Sequence, residues 1–165
     1  MKNVIKQLIT FGTIVSTAYM IWKGLGVLMG TESPIVVVLS ESMSPAFERG
    51  DILFLRMTSD PIRSGEIVVF SIPGRDIPIV HRVLDVHESR TTGANSMLTK
   101  GDNNNIHDRG LYAKGQLWLK DGDISGRVIG CLPYLGMATI IMNDYPVVKK
   151  VALAGMALMT LMSKE

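Results

Sequence analysis

The stretch GEIVVFSIPGRDIPIVHRVLDV, residues 65–86, decides the fold class. It holds two apolar runs, Ile67–Ile72 and Ile79–Val86, which are rich in β-branched residues and are separated by a segment containing glycine and two prolines. Short runs of this composition between Gly and Pro residues are typical of strands, and neither run has the length of a helix. The stretch therefore predicts two consecutive strands with no helix between them.

The same pattern continues on both sides, from Pro34 to Pro133. Five further short strand-forming runs occur there: Ile35–Leu39, Ile52–Leu55, Met97–Thr99, Gln116–Leu119 and Ile124–Leu132. Strands without helical crossovers cannot form a parallel doubly wound sheet, so we predict a mainly β, antiparallel, partly barrel-like domain of about a hundred residues. Gly93–Asn95 predicts a surface hairpin, and the Asx-rich segment 101–105 predicts a loop between strands.

Composition and charge exclude several functional classes. A chain of 165 residues accommodates one domain with a substantial core. The net charge of +2 is too small to indicate nucleic acid as a partner, whereas a hydrophobic content of 47% is high enough to indicate a lipid-embedded segment. Cys131 is the single cysteine, so an internal disulfide and a CxxC metal or redox motif are excluded.

The apolar segment Leu8–Met29 carries one charge, Lys23. As a helix it would be about 33 Å long, against a hydrocarbon thickness of about 30 Å, and we interpret it as a single transmembrane anchor. Lys2 and Lys6 precede it and no acid occurs before Glu32, which favours a cytosolic N-terminus. The alternatives are a cleaved signal peptide, which begins in the same way, and a buried core helix, which the lack of an amphipathic period disfavours.

A second apolar segment follows Pro146. Its uncharged part, Val151–Met162, would be only about 18 Å long as a helix, which is too short to span an ordinary bilayer. It predicts a short C-terminal helix that either lies at the membrane interface or inserts partway into a thinned bilayer.

Ser42 is a candidate nucleophile because it stands just past the first strand, in the turn Ser40-Glu-Ser-Met-Ser-Pro45. A hydroxyl at such a position can project from a rigid edge. The alternative is that Ser40, Ser42 and Ser44 are ordinary turn serines before a proline.

His81 is a candidate general base because it interrupts a strongly β-forming run, on the strand face shared by Ile79 and Val83. An imidazole has an ordinary pKa of about 6.5, which suits proton transfer at neutral pH. The alternative is a core histidine bonded to a backbone carbonyl. His87 and His107 are interpreted as surface or loop histidines.

Asp102 and Asp108 lie in the polar segment TKGDNNNIHDRG, residues 99–110. A carboxylate that accepts the Nδ1 proton of a histidine fixes its tautomer and stabilises the imidazolium, and either aspartate could do this for His81. The alternative is that both cap turns, with Asp108 paired to Arg109 or Arg82. No HExxH or similar spacing indicates a zinc hydrolase.

Four blocks resemble a known family in order and spacing: SPIVVVLSESMSPAFERGDILFL, GEIVVFSIPGRDIPIVHRVLDVHE, LTKGDNNNIHDRGLYAKGQLWL and GRVIGCLPYLGMATIIMNDYP. They closely resemble the catalytic subunits of the eukaryotic endoplasmic-reticulum signal peptidase complex. That family is similar to bacterial signal peptidases in its β fold and serine nucleophile, but has histidine in place of their general-base lysine.

The resemblance implies a membrane-bound serine endopeptidase, a signal peptidase I, that removes signal peptides after small residues and needs no metal or organic cofactor. It implies Ser42 as nucleophile, His81 as base, Asp108 as the third triad member and Asp102 as a supporting acid. The Ser42 backbone N–H, with Ser40 as a further donor, would stabilise the oxyanion.

The resemblance also implies an organisation: a cytosolic N-terminus (1–7), a transmembrane anchor (8–29), a luminal β-rich catalytic domain (30–146) and a short membrane-associated C-terminal helix (147–165). The implied partners are signal peptides of preproteins, accessory subunits of the complex and the lipid bilayer. The implied location is the endoplasmic-reticulum membrane.

This chain departs from the usual family pattern at three positions, where Glu41 replaces glycine, Ser44 replaces glutamate and His107 replaces aspartate. The first two could alter how substrate lies beside Ser42, since glycine allows a closer backbone approach. Two other hypotheses remain open from the sequence: Lys100 as the base of a serine-lysine peptidase, and a non-catalytic membrane-anchored β module of a processing complex.

Overall fold

The computed structural model describes the backbone of residues 2–75, 77–89 and 95–162. The helices in these ranges are α1 (Lys2–Met29), α2 (Met137–Asp144) and α3 (Pro146–Met162). The strands are β1 (Ile35–Val37), β2 (Ile52–Arg56), β3 (Ile67–Phe70), β4 (Ile79–Glu88), β5 (Asn95–Lys100), β6 (Leu119–Lys120) and β7 (Ile124–Leu132). The predicted hairpin at 93–95 lies outside the described residues except for Asn95, where β5 begins.

The seven strands form one antiparallel sheet that curls into a half-barrel. Their order across the sheet is β1-β2-β7-β3-β4-β5-β6. Irregularities in register interrupt three of the strand pairings, and such bulges increase the local twist and bend of a sheet. The predicted antiparallel, partly barrel-like fold is confirmed.

The sequence of strand β3 is continuously apolar because the strand is buried on both faces. Val68 and Phe70 point into the larger of two hydrophobic clusters, and Val69 between them points into the smaller one. Successive side chains of a strand alternate between faces, so both faces of β3 are buried. This buried strand pairs directly with β4 and places His81 opposite Val68.

The strand predicted at Gln116–Leu119 was wrong at its first three residues, because ladder pairing there begins only at Leu119. The Gln116 side-chain amide donates to the carbonyl of Trp118 at 3.0 Å and to Asp123 Oδ2 at 2.7 Å. These bonds close the segment into a turn before β6.

Helix α1 contains the predicted anchor. Residues Ile5–Met29 are long and apolar enough to cross a membrane. None of them is buried in the structure, which contradicts the interpretation as a core helix. The helix ends at Met29 and is followed by Gly30, whose φ of +67° favours glycine. Directly beyond it, Thr31 Oγ1 donates to the carbonyl of Ser125 on β7 at 2.7 Å, so the helix joins the sheet without a linker.

The predicted short C-terminal helix is confirmed as α3, which begins at Pro146, a residue that suits the first turn of a helix. Its 17 residues extend about 26 Å. Helix α2 was not predicted. It follows Gly136, where a Cβ would lie only 2.6 Å from Val37 Cγ1, so the absence of a side chain lets this segment pack against β1.

Candidate active site

Three of the predicted site residues form one hydrogen-bonded line. Ser42 Oγ lies 3.1 Å from His81 Nε2, and His81 Nδ1 lies 2.5 Å from Asp108 Oδ2. His81 and Asp108 are 3% and 2% exposed, whereas Ser42 is only half-buried and therefore accessible from the surface. A hydroxyl, an imidazole and a carboxylate in this order can activate the oxygen as a nucleophile.

Ser42 is held from both sides of the turn that follows β1. Its neighbour Met43 is 1% exposed and anchors the turn in the interior. On the other side, the backbone N–H of Asn103 donates to the Ser42 carbonyl at 2.9 Å, and the Asn103 side-chain amide donates to the Glu41 carbonyl at 3.1 Å. The hydroxyl therefore projects from a backbone that is fixed by the loop after β5.

His81 is positioned by β4 and by the larger hydrophobic cluster. The ring of Phe70 meets the imidazole edge-on at a centroid separation of 6.3 Å. The predicted sharing of a face with Val83 agrees with the burial of both side chains, while Leu84 on the opposite face is exposed. His87 and His107 are exposed, as predicted.

Asp108 begins a short 3-10 turn, Asp108–Gly110, and its side chain points inward. Its Oδ2 accepts from His81 and also from the Thr99 hydroxyl at 2.7 Å. The alternative pairing with Arg109 or Arg82 is not what the structure shows, because Arg109 lies over the ring of Trp118 and Arg82 bonds elsewhere.

Asp102 is hydrogen-bonded to Arg82 and not to His81. Both of its oxygens accept from Arg82, from Nε at 2.9 Å and from Nη2 at 2.7 Å, in the bidentate geometry that strengthens such pairs. The Arg82 guanidinium holds the pKa of Asp102 below its usual value, and partial burial opposes this effect. The pair of Asp102 and Arg82 thus connects the loop after β5 to β4, at the residue that follows His81.

Gly101 allows this loop to approach the site. A Cβ there would lie 2.6 Å from the Ser42 carbonyl oxygen and 2.8 Å from His81 Nε2. Contacts below about 3.0 Å force atoms to move, so a side chain at this position would displace the Ser42 backbone, the His81 ring or both.

The surroundings of Ser42 include two candidate oxyanion donors. Ser40 Oγ lies 3.2 Å from Ser42 Oγ. Within the described part of the chain the Ser42 backbone N–H has no acceptor, so it is available to a ligand.

Glu41 and Ser44, two of the three departures from the family pattern, fit the backbone around Ser42. Among the described residues Tyr134 is the only non-glycine with a positive φ, so Glu41 occupies a conformation open to any L-residue. The Ser44 hydroxyl donates to Glu48 Oε1 at 2.8 Å, within the same turn. His107, the third departure, is exposed and occupies the N-cap position of the 3-10 turn, where its side chain makes no capping hydrogen bond.

A groove of about 960 Å³ opens beside Ser42. Its lining includes the segments 36–39 and 77–80 together with Thr139, Ile140 and Asn143 of α2. Within the described residues β1 is an edge strand with no partner on its other side, and an extended peptide can bond the backbone groups there.

Sequence reasoning missed Thr99, Tyr112 and Asn103 as members of the site. Thr99 had a usable signal, because it is a polar residue within a predicted strand next to a candidate aspartate. Asn103 had none beyond its place in the polar loop, since its two bonds to the turn of Ser42 depend on the tertiary fold.

Comparison with known proteins shows the family of this chain. Residues 14–92 match the family described as Peptidase S24-like. Over 160 residues, which is 96% of this chain and 83% of the human protein, the chain is 61% identical to the human signal peptidase complex catalytic subunit SEC11C. It is 54% identical to the signal peptidase complex catalytic subunit sec11 of Dictyostelium discoideum, over 99% of this chain and 90% of that protein.

Part of the chain thus matches a family of peptidases. The chain belongs to the family of catalytic subunits of the signal peptidase complex. The resemblance that the four sequence blocks predicted is confirmed.

Proposed function

We propose that this chain is the catalytic subunit of a signal peptidase complex in the endoplasmic-reticulum membrane and removes signal peptides as a serine endopeptidase. The line from Ser42 through His81 to Asp108 is the observation that carries the proposal. The names of the relatives, catalytic subunits of signal peptidase complexes, support both the substrate class and the presence of accessory subunits.

The chemistry follows from the geometry. His81 Nε2 accepts the proton of Ser42 Oγ as that oxygen attacks the scissile carbonyl carbon, and Asp108 stabilises the resulting imidazolium. The Ser42 backbone N–H, with the Ser40 hydroxyl nearby, donates to the oxyanion. His81 then protonates the leaving amine, leaving an ester on Ser42, and in the second half it activates the water that hydrolyses this ester.

The groove supports an extended substrate. Its walls at 36–39 and 77–80 are largely apolar, and it leads to Ser42, so a peptide added along β1 would bring its scissile bond to the hydroxyl. The apolar walls suit small apolar side chains on the acyl side of that bond.

Lys100 is a poor alternative base. Its ammonium donates to the carbonyl of Asn104 at 2.8 Å, whereas the group within hydrogen-bond distance of Ser42 Oγ is His81 Nε2. A base must reach the proton that it removes, so the geometry favours the histidine.

The membrane arrangement belongs to the same proposal. Helix α1 anchors the chain in the bilayer with residues 1–7 in the cytosol, residues 30–146 form the luminal catalytic domain, and residues 147–165 associate with the membrane without spanning it. The length and composition of Ile5–Met29 and the shortness of α3 support this organisation.

The substrate assignment is tested with membranes containing the complex assembled with this chain. A preprotein whose signal peptide ends in alanine should be cut directly after that alanine. A matched preprotein with tryptophan there should be cut at least about tenfold more slowly, because the bulkier side chain must fit beside Ser42. Mass spectrometry of the new N-terminus locates the cut. Absence of cleavage at that bond would leave the chain as a non-catalytic β module.

Orientation is tested in sealed microsomes. Because Lys2 and Lys6 precede the span, an N-terminal tag should be digested by added protease while residues 31–146 stay protected until detergent is added. Digestion of residues 31–146 in intact vesicles would reverse the topology.

A further inference from the structure

We propose that Thr99 and Tyr112 are positioning residues that extend the Ser42–His81–Asp108 line by two buried hydrogen bonds and set the basicity of the carboxylate. This inference rests on the proposed serine-peptidase function and concerns groups that do not touch substrate. It starts from burial: Thr99 is 0% exposed and Tyr112 is 7% exposed, directly behind Asp108.

The donors and acceptors of this cluster can be assigned. The backbone N–H of Thr99 donates to the Tyr112 oxygen at 2.9 Å, and the Thr99 hydroxyl donates to Asp108 Oδ2 at 2.7 Å. A threonine hydroxyl has one proton, and an ionised carboxylate can only accept. The remaining 2.9 Å contact between the two hydroxyls must therefore be a bond from Tyr112 to Thr99.

This assignment makes a directed chain, in which Tyr112 donates to Thr99, Thr99 donates to Asp108, and Asp108 also accepts from His81. Hydrogen bonds in such a chain polarise one another. Burial raises the pKa of the Tyr112 phenol, which keeps its proton available for donation. Phe70 packs edge-on against Tyr112 at 6.2 Å and holds the phenol in place.

The chain has two consequences for Asp108. The bond from Thr99 fixes the orientation of the carboxylate, so that Oδ2 faces the imidazole. It also satisfies part of the negative charge, so Asp108 holds the imidazolium less tightly than a carboxylate bonded to histidine alone. Turnover needs this balance, because His81 must release its proton to the leaving amine.

Thr99→Val removes the hydroxyl and keeps the shape. We expect kcat for preprotein cleavage to fall about tenfold with KM nearly unchanged, because a donor to a charged acceptor is lost and no substrate contact is lost. The acidic limb of the pH–rate profile should move to higher pH, since the less satisfied carboxylate favours the imidazolium. Other charged groups near this pair, Asp102, Lys100 and Arg109, are unchanged by the substitution.

Two conservative variants separate positioning from packing. Thr99→Ser retains the hydroxyl and should recover most of the lost kcat and the original acidic limb. Tyr112→Phe leaves the bond from Thr99 to Asp108 but removes both the donor behind it and the acceptor of the Thr99 backbone N–H. It should therefore lower thermal stability and shift the limb in the same direction by a smaller amount. If Thr99→Val does not assemble into the complex, Tyr112→Phe and Thr99→Ser decide the inference.

The matched control is Thr31→Val, which removes another buried threonine hydroxyl, bonded to the Ser125 carbonyl. It should leave the pH–rate profile unchanged. The inference is overturned if Thr99→Val and Tyr112→Phe are stable and retain the wild-type kcat and profile while Ser42→Ala is inactive in the same assay. Activity in Ser42→Ala would instead overturn the proposed function itself.

Discussion

Asp108→Asn should lower single-turnover cleavage of a preprotein by about 10⁴-fold at neutral pH. The amide has nearly the shape of the carboxylate, but its NH2 group donates where the carboxylate accepts. In the wild-type chain Asp108 Oδ2 accepts from both His81 and Thr99. An amide nitrogen in that place would leave these two donors without an acceptor. An amide oxygen there would accept from the same donors, but it has no charge to stabilise the imidazolium.

The comparison variant is Asp102→Asn, which breaks the pair with Arg82 and leaves His81 and Asp108 bonded to each other. Its activity loss should be smaller and accompanied by lower thermal stability. Because the folded-state pKa of Asp102 lies below the ordinary 3.8, the carboxylate stabilises the fold above that pH. The stability difference between wild type and Asp102→Asn should therefore shrink as the pH falls below 3.8 and through the lowered pKa.

Thermal unfolding of both variants is recorded beside the cleavage rates. An Asp108→Asn complex of normal stability that cleaves at nearly the wild-type rate, together with a folded but inactive Asp102→Asn complex, would exchange the roles of the two carboxylates.

Much of the sheet could be predicted because short runs of β-branched residues favour strands over helices. Both faces of β3 are buried, and a short Val-rich segment between Gly and Pro residues satisfies that environment. Helix α2 could not be predicted in the same way. Its eight residues form a short apolar segment whose helical state depends on the packing of Gly136 against Val37, which is a tertiary contact.

The site residues likewise divide into those that the sequence singles out and those whose roles depend on tertiary contacts. Ser42 and His81 could be singled out because a polar residue at a strand end or within an apolar strand needs an explanation. The roles of the two aspartates could not be separated by spacing, since both lie in one polar loop. The fold separates them: the 3-10 turn at Asp108 points its carboxylate into the interior, while Asp102 faces Arg82 on the outer face of β4.

The most direct test of the central claim is preprotein cleavage by complexes carrying Ser42→Ala, His81→Ala or both. A nucleophile and its base act as a unit, so each single variant should lose at least about 10⁴-fold in rate and the double variant should lose little more. Ser44→Ala is the matched control, because its hydroxyl bonds Glu48 in the same turn, and it should cleave at nearly the wild-type rate. Substantial cleavage by a membrane-assembled Ser42→Ala or His81→Ala complex would contradict the account.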